Sequence, residues 1–189
     1  MNQAGEGEWK HDSIPTYPHG IVCYMTADEL ALLERTAADL CEGGLIVEIG
    51  ACYGGSTATL ALAAPQALVL SIDTFGWSPV EAMPASAAQL LTNMAGAGAG
   101  NVAVLPADSH AVGAVWSRPI DLLFVDGGHD DASVRGDLAA FGPHAGTVAV
   151  HDYGNPYYAD VEQAAADFCA DHGFVLASRV DYLAILVRV

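Results

Sequence analysis

Basic residues are scarce in this chain: six Lys and Arg stand against 23 Asp and Glu, a formal charge of −17. A field of that sign repels a phosphate backbone, which makes DNA and RNA poor partners. Plain solubility is the competing explanation of the acidity. No apolar run is both long enough and free enough of breakers to cross a membrane. The opening residues, Met1 to Asp12, are polar and lack the apolar stretch of a signal peptide, so a cytoplasmic protein is expected. Cysteine is sparse as well. Cys23, Cys41, Cys52 and Cys169 form no C-x-x-C pair and read as reduced thiols.

Apolar residues are abundant. They make up 52% of the 189 positions, with a mean hydropathy of +0.32, enough for a full core. One domain over residues 21–189 is expected, behind a tail over residues 1–20. The tail carries Pro15, Tyr17, Pro18 and His19, and reads as a disordered leader or as a cover over a site.

The chain is organised around one stretch. Leu45-Ile46-Val47-Glu48-Ile49 sets four apolar residues around one acid and reads as a buried parallel strand. Gly50, Gly54 and Gly55 then turn the chain, and Ser56-Thr57 open an alanine- and leucine-rich helix to Ala64. A glycine turn between strand and helix lets a ligand approach the backbone and points N–H groups at it. Glu48, at the strand end, is placed to accept hydrogen bonds from a ligand hydroxyl or amine. The dinucleotide fingerprint G-x-G-x-x-G is absent, because Ala51, Cys52 and Tyr53 separate Gly50 from Gly54.

Upstream, Thr26-Ala27-Asp28-Glu29 is a capping box. It opens a helix with Leu30, Leu33, Ala37 and Leu40 on one face, which stops at Gly43-Gly44. Downstream, Leu68–Ile72 is a second strand ending at Asp73-Thr74, and Asn101–Leu105 a third leading to Asp108-Ser109. Ile120–Val125 is the fourth and delivers Asp126-Gly127-Gly128-His129; Gly146–Val150 is the fifth and ends in His151-Asp152-Tyr153. One helix follows the fourth strand, with Val134, Leu138 and Phe141 on its apolar face. Another runs from Tyr158 to His172 and buries Val161, Ala165, Phe168 and Cys169. Phe174–Ser178 and Leu183–Val189 close the chain as a hairpin around Asp181. Between Thr74 and Gly100 lies a candidate flap, with Phe75, Trp77 and Met83 as contacts, or else a loose glycine-rich loop.

Glu48, Asp73, Asp108, Asp126 and Asp152 each stand at the carboxyl end of a strand, where open α/β sheets bind their ligands. Asp73 follows the glycines by about twenty residues, the place from which a carboxylate accepts from both ribose hydroxyls. A turn cap is the alternative role for Asp73, and a helix N-cap for Asp108 or Ser109.

Glu-Ile-Gly-Ala-Cys-Tyr-Gly-Gly-Ser resembles the first motif of class I S-adenosylmethionine-dependent methyltransferases. Within them it is most similar to the metal-dependent small-molecule O-methyltransferases of the catechol type. The resemblance covers roughly Gly44 to Tyr153. It implies a doubly wound, Rossmann-like α/β fold with a mostly parallel seven-stranded sheet and an antiparallel C-terminal hairpin. It also implies S-adenosylmethionine held by Glu48, Gly50, Gly54, Ser56, Asp73, Thr74, Asp108 and Ser109. Asp126 and Asp152 match the two metal-binding acids of the catechol type, and two hard carboxylates suit Mg²⁺ or another divalent ion. The catechol type has Asn after the second acid, where this chain has Tyr153. The macrolide-sugar O-methyltransferases carry an acid before it, where this chain has His151. His151 is therefore either a third ligand or an outer support. The sugar enzymes also carry Asp-x-x-His, which matches Asp126 and His129 and casts His129 as general base. Asn155-Pro156-Tyr157-Tyr158 is half of an amino-methyltransferase motif, but it follows the fifth strand instead of the fourth and is set aside.

The expected activity is O-methylation of a small hydroxylated metabolite, sugar-bearing or polyketide, with no nucleic acid or membrane partner and with homo-oligomerisation open. A metal-independent methyltransferase, a non-catalytic nucleotide-binding α/β protein and an NAD-linked enzyme are the alternatives.

Overall fold

The computed structural model describes residues 16–80 and 82–189; most of the expected tail, including Pro15, lies outside them. The described chain alternates strand and helix: α1 (Ala27–Ala38), β1 (Leu45–Ile49), α2 (Gly55–Ala63), β2 (Leu68–Asp73), α3 (Ala87–Ala97), β3 (Val102–Pro106), α4 (Ser109–Gly113), β4 (Ile120–Val125), α5 (Asp131–Phe141), β5 (Ala145–Val150), α6 (Ala159–His172), β6 (Phe174–Val180) and β7 (Leu183–Arg188). The strands form one sheet in the order β3-β2-β1-β4-β5-β7-β6. The first five are parallel, and β7 runs antiparallel between β5 and β6. This is the expected doubly wound sheet with its terminal hairpin.

Strand order reverses between β1 and β4, which places a crevice at their carboxyl ends. All five residues of β1 are buried, as a central parallel strand covered on both faces requires. Ile46 packs with Leu33, Leu60 and Leu90 on one face, while Val47 and Ile49 pack with Leu138, Phe141 and Phe168 on the other. Helices α1, α2 and α3 thus cover one side, and α5 and α6 the other.

The capping box at Thr26 is complete, with the Thr26 and Glu29 side chains each bonded to the other's backbone N–H. The helix ends at Ala38, earlier than Gly43: Leu40 N–H bonds to Ala37 O in a tighter last turn, and Gly43 turns the chain at φ +79°. Cys169 is half-buried instead of core. The later part of the segment after Thr74 is not a loose loop, because α3 buries Leu90 and Met94 in the core.

Candidate active site

The parallel strands β1, β4 and β5 each hand the chain to the crevice through a backbone bond to a neighbouring strand. Gly50 N–H bonds to Ile72 O, Asp126 N–H to Ile49 O and His151 N–H to Val125 O, at 3.0, 2.9 and 3.0 Å. Gly50 has φ +90°, and a β-carbon there would run into the Asp126 carbonyl, so only glycine lets β1 and β4 approach this closely. Three non-glycine residues at strand ends also adopt left-handed backbone: Cys52 at φ +47°, Phe75 at +53° and Asp152 at +59°. Such conformations cost roughly 1–3 kcal/mol each and persist where the surrounding structure enforces them.

A cavity of about 930 Å³ opens over these strand ends. At one end Asp73 Oδ2 accepts from Cys52 N–H at 2.7 Å and Oδ1 from Phe75 N–H at 2.6 Å, so the aspartate shapes the loop beside the glycines. Gly50, Ser56, Thr74, Asp108 and Ser109 also line the cavity. Asp108 caps α4 by accepting from Ala111 N–H at 2.9 Å, and Ser109 donates to Asp137 at 2.6 Å.

Two expected cofactor contacts do not reach the cavity. Glu48 is fully buried, turned by strand alternation onto the face beneath α2. Its carboxylate accepts from the Ser56, Thr57 and Ser71 hydroxyls, each at 2.6 Å. Burial pushes its carboxyl up to about 7 against the pull of those three donors. Gly54 caps α2 at φ +89° and packs beneath Leu90 and Met94. Ser56 lines the cavity, but its hydroxyl is turned to Glu48. Of the aromatic contacts expected after β2, Trp77 lines the cavity, whereas Phe75 packs against the core.

At the other end, β4 and β5 are paired neighbours, which brings Asp126 and Asp152 together. Ligand-type atoms of Asp126, His129 and Asp152 all lie within 4.8 Å of one another. His129 Nε2 is 3.1 Å from Asp152 Oδ2 and 3.9 Å from Asp126 Oδ1. His151 Nδ1 is 3.0 Å from Asp126 Oδ1 and 3.4 Å from Asp152 Oδ2. Burial works against ionisation of Asp126, yet His151 and His129 beside it hold its carboxyl down at about 2. Burial also lowers both imidazoles, and the facing carboxylates overcome it: His129 is raised, and His151 well above its usual value.

Two supports were not anticipated. Asn155 Nδ2 donates to Asp152 Oδ1 at 2.5 Å. The Tyr158 ring packs on His129 with centroids 4.4 Å apart. Both belong to the Asn-Pro-Tyr-Tyr segment that was set aside, and its position just after β5 was the signal that could have revealed them. A third residue, Glu29, reaches the back of His151 at 3.5 Å. No described helix is long and apolar enough to cross a membrane.

The sheet order and the strand-end crevice define a class I methyltransferase fold. A methyltransferase domain family matches residues 47–153, more than half of the chain, and the chain belongs to that family, whose methyl donor is S-adenosylmethionine. The chain is similar to the O-methyltransferase NovP, at 17% identity over 88% of this chain and 81% of that one, TM-score 0.72. It is also similar to CalS11, a TDP-rhamnose 3'-O-methyltransferase of calicheamicin biosynthesis, at 18% identity over 85% and 77%, TM-score 0.63. An rRNA methylase from Streptococcus thermophilus matches at 14% identity over 87% and 99%, TM-score 0.63. At such identities the likeness establishes the fold alone. No curated protein matches the chain significantly in sequence.

Proposed function

We propose that this protein is a divalent-metal-dependent O-methyltransferase that methylates a hydroxyl of a small, sugar-bearing or polyketide metabolite. The convergence of Asp126, His129 and Asp152 at one end of a cavity whose other end holds Asp73 carries this reading. Asp73 and Thr74 would receive the ribose of the cofactor, Asp108 and Ser109 its adenine, and the Gly50–Tyr53 backbone its amino-acid end. The net charge of −17 argues against an rRNA substrate.

The residues present fit a hard cation. Asp152 Oδ2 and both His151 ring nitrogens are buried without a hydrogen bond of good geometry, which marks an incomplete polar site. Asp126 and Asp152 would hold the ion, with His151 as a third ligand or an outer support, and the ion would supply Lewis acidity toward the acceptor hydroxyl. Asn155 holds the Asp152 carboxylate and Tyr158 restricts the His129 ring. His129, in neutral form, accepts the hydroxyl proton at Nε2 as the oxygen attacks the sulfonium methyl.

One observation favours a metal-independent version. Three carboxylates, Glu29, Asp126 and Asp152, already face two raised histidines, so the cluster is largely charge-compensated on its own. A chelator decides between the two. Methyl transfer to a panel of glycosides, polyketide alcohols and catechols should stop in excess EDTA, return with Mg²⁺ or Mn²⁺, and fail to return in Asp126→Ala. Undiminished transfer in EDTA establishes the metal-independent version.

A further inference from the structure

Glu29 is the third residue of α1 and completes its capping box, yet it is only 1% exposed. A capping glutamate needs no burial, and an uncompensated buried carboxylate costs far more than a cap contributes. Something must offset that cost. Glu29 Oε2 accepts from Thr26 N–H at 2.7 Å, and Oε1 accepts from Tyr182 N–H at 2.8 Å in the turn between β6 and β7. Tyr182 O in turn accepts from Tyr153 N–H, the residue after Asp152, at 2.9 Å. The remaining neighbour is His151, whose Nε2 lies 3.5 Å from Glu29 Oε2 while its Nδ1 faces Asp126 at 3.0 Å. A buried imidazole therefore stands between a structural carboxylate and a site carboxylate.

We propose that Glu29 is a positioning residue: through His151 it orients the Asp126 carboxylate and ties the reaction centre to the start of α1 and to the β6–β7 turn. Val22, Cys23 and Tyr24, just before the capping box, line the cavity, so the same carboxylate also anchors the cavity wall. Removing the Glu29 carboxylate takes away the group that His151 Nε2 faces at 3.5 Å, and the ring can then turn away from Asp126. Removing Thr26 opens the capping box from its other side and leaves the Glu29–His151 contact in place. The consequence for turnover rests on the proposed reaction centre, but the orientation of His151 does not.

The test uses the full chain with ¹⁵N-labelled histidine, comparing wild type, Glu29→Gln and Thr26→Ala at one pH. Glu29→Gln should shift the His151 ring-nitrogen resonances and lower Mn²⁺ affinity and kcat by about 10–100-fold, with the KM for S-adenosylmethionine nearly unchanged. Thr26→Ala should lower the melting temperature and leave the resonances and kcat near wild type. If Glu29→Gln does not fold, Glu29→Asp, with its charge drawn back by one methylene, takes its place. Unchanged His151 resonances in Glu29→Gln, or equal losses in Thr26→Ala, overturn the inference. A wild-type protein that binds no Mn²⁺ removes the metal reading, and the His151 resonances then decide the positioning alone.

Discussion

His129 places Nε2 3.1 Å from Oδ2 of Asp152, a residue held in left-handed backbone at φ +59°. The contact joins the loop after β4 to the end of β5, and the Tyr158 ring closes over it. An imidazole kept this close to two carboxylates is well oriented but holds its proton tightly.

The first prediction concerns its role. His129→Ala should reduce kcat by about 10²–10⁴-fold while S-adenosylhomocysteine affinity stays within a few-fold of wild type. Steady-state kinetics with calorimetry checks both. Near-normal kcat, with the acidic limb of the pH–rate profile intact, would make His129 a structural residue and His151 the next base to examine.

The second concerns pH. The carboxylates of Asp126 and Asp152 raise His129 above its usual 6.5, against the effect of burial. Below 6.5 the imidazolium is present in both folded and unfolded protein, and the ion pair stabilises the fold. That contribution disappears as pH rises through the higher folded value. The neutral, base-competent form grows over the same interval. Offsetting the aspartates with Mg²⁺ should bring the value down and extend activity to lower pH. NMR titration of the ring C–H signals, with and without Mg²⁺, tests this; a metal-free value at or below 6.5 contradicts it.

The third concerns the cofactor end. Asp73→Ala should weaken S-adenosylhomocysteine binding by about 1.5–3 kcal/mol, the worth of hydrogen bonds to a charged group. NAD should not bind tightly, since the glycine spacing lacks the pyrophosphate turn. Asp73 also holds Cys52 and Phe75 N–H, so a melting curve must accompany the calorimetry. Unaltered affinity in a folded Asp73→Ala protein rules out the ribose contact.

The fourth concerns Glu48, whose carboxyl is raised from 4.5 to about 7 by burial, against three hydroxyl donors. Between these values the folded protein keeps a proton that the unfolded chain has lost. Stability therefore falls as pH rises through this window, by an amount on the order of 3 kcal/mol. Glu48→Gln should flatten the dependence. Urea denaturation at pH 5 and pH 8 measures it, and a slope identical in the two proteins would falsify the assignment to Glu48.

Strand periodicity and turn chemistry made most of the fold legible. Leu45–Ile49 and Ile120–Val125 form strands over the spans their apolar runs mark, and the Thr26–Glu29 box opens the helix it promises. Boundaries that depend on a last turn were less legible, as at Ala38, where a local 3₁₀-type bond ends the helix before the glycines. The acids at strand ends were legible as a set, because a parallel sheet presents its carboxyl ends on one edge. Glu48 was misplaced because the direction of its side chain depends on strand phase and on which hydroxyls α2 and β2 bring above it.

Local sequence by itself determined the alternation of strands and helices, the glycine at position 50 and the placing of Asp73, Asp126 and Asp152 at one edge. These follow from period, turn propensity and backbone sterics, which act over a few residues. Only the tertiary structure decided that Glu48 is internal, that Tyr158 covers His129 and that Glu29 stands behind His151. Such contacts join residues far apart in the chain, and their partners are chosen by how sheet, helices and hairpin pack together.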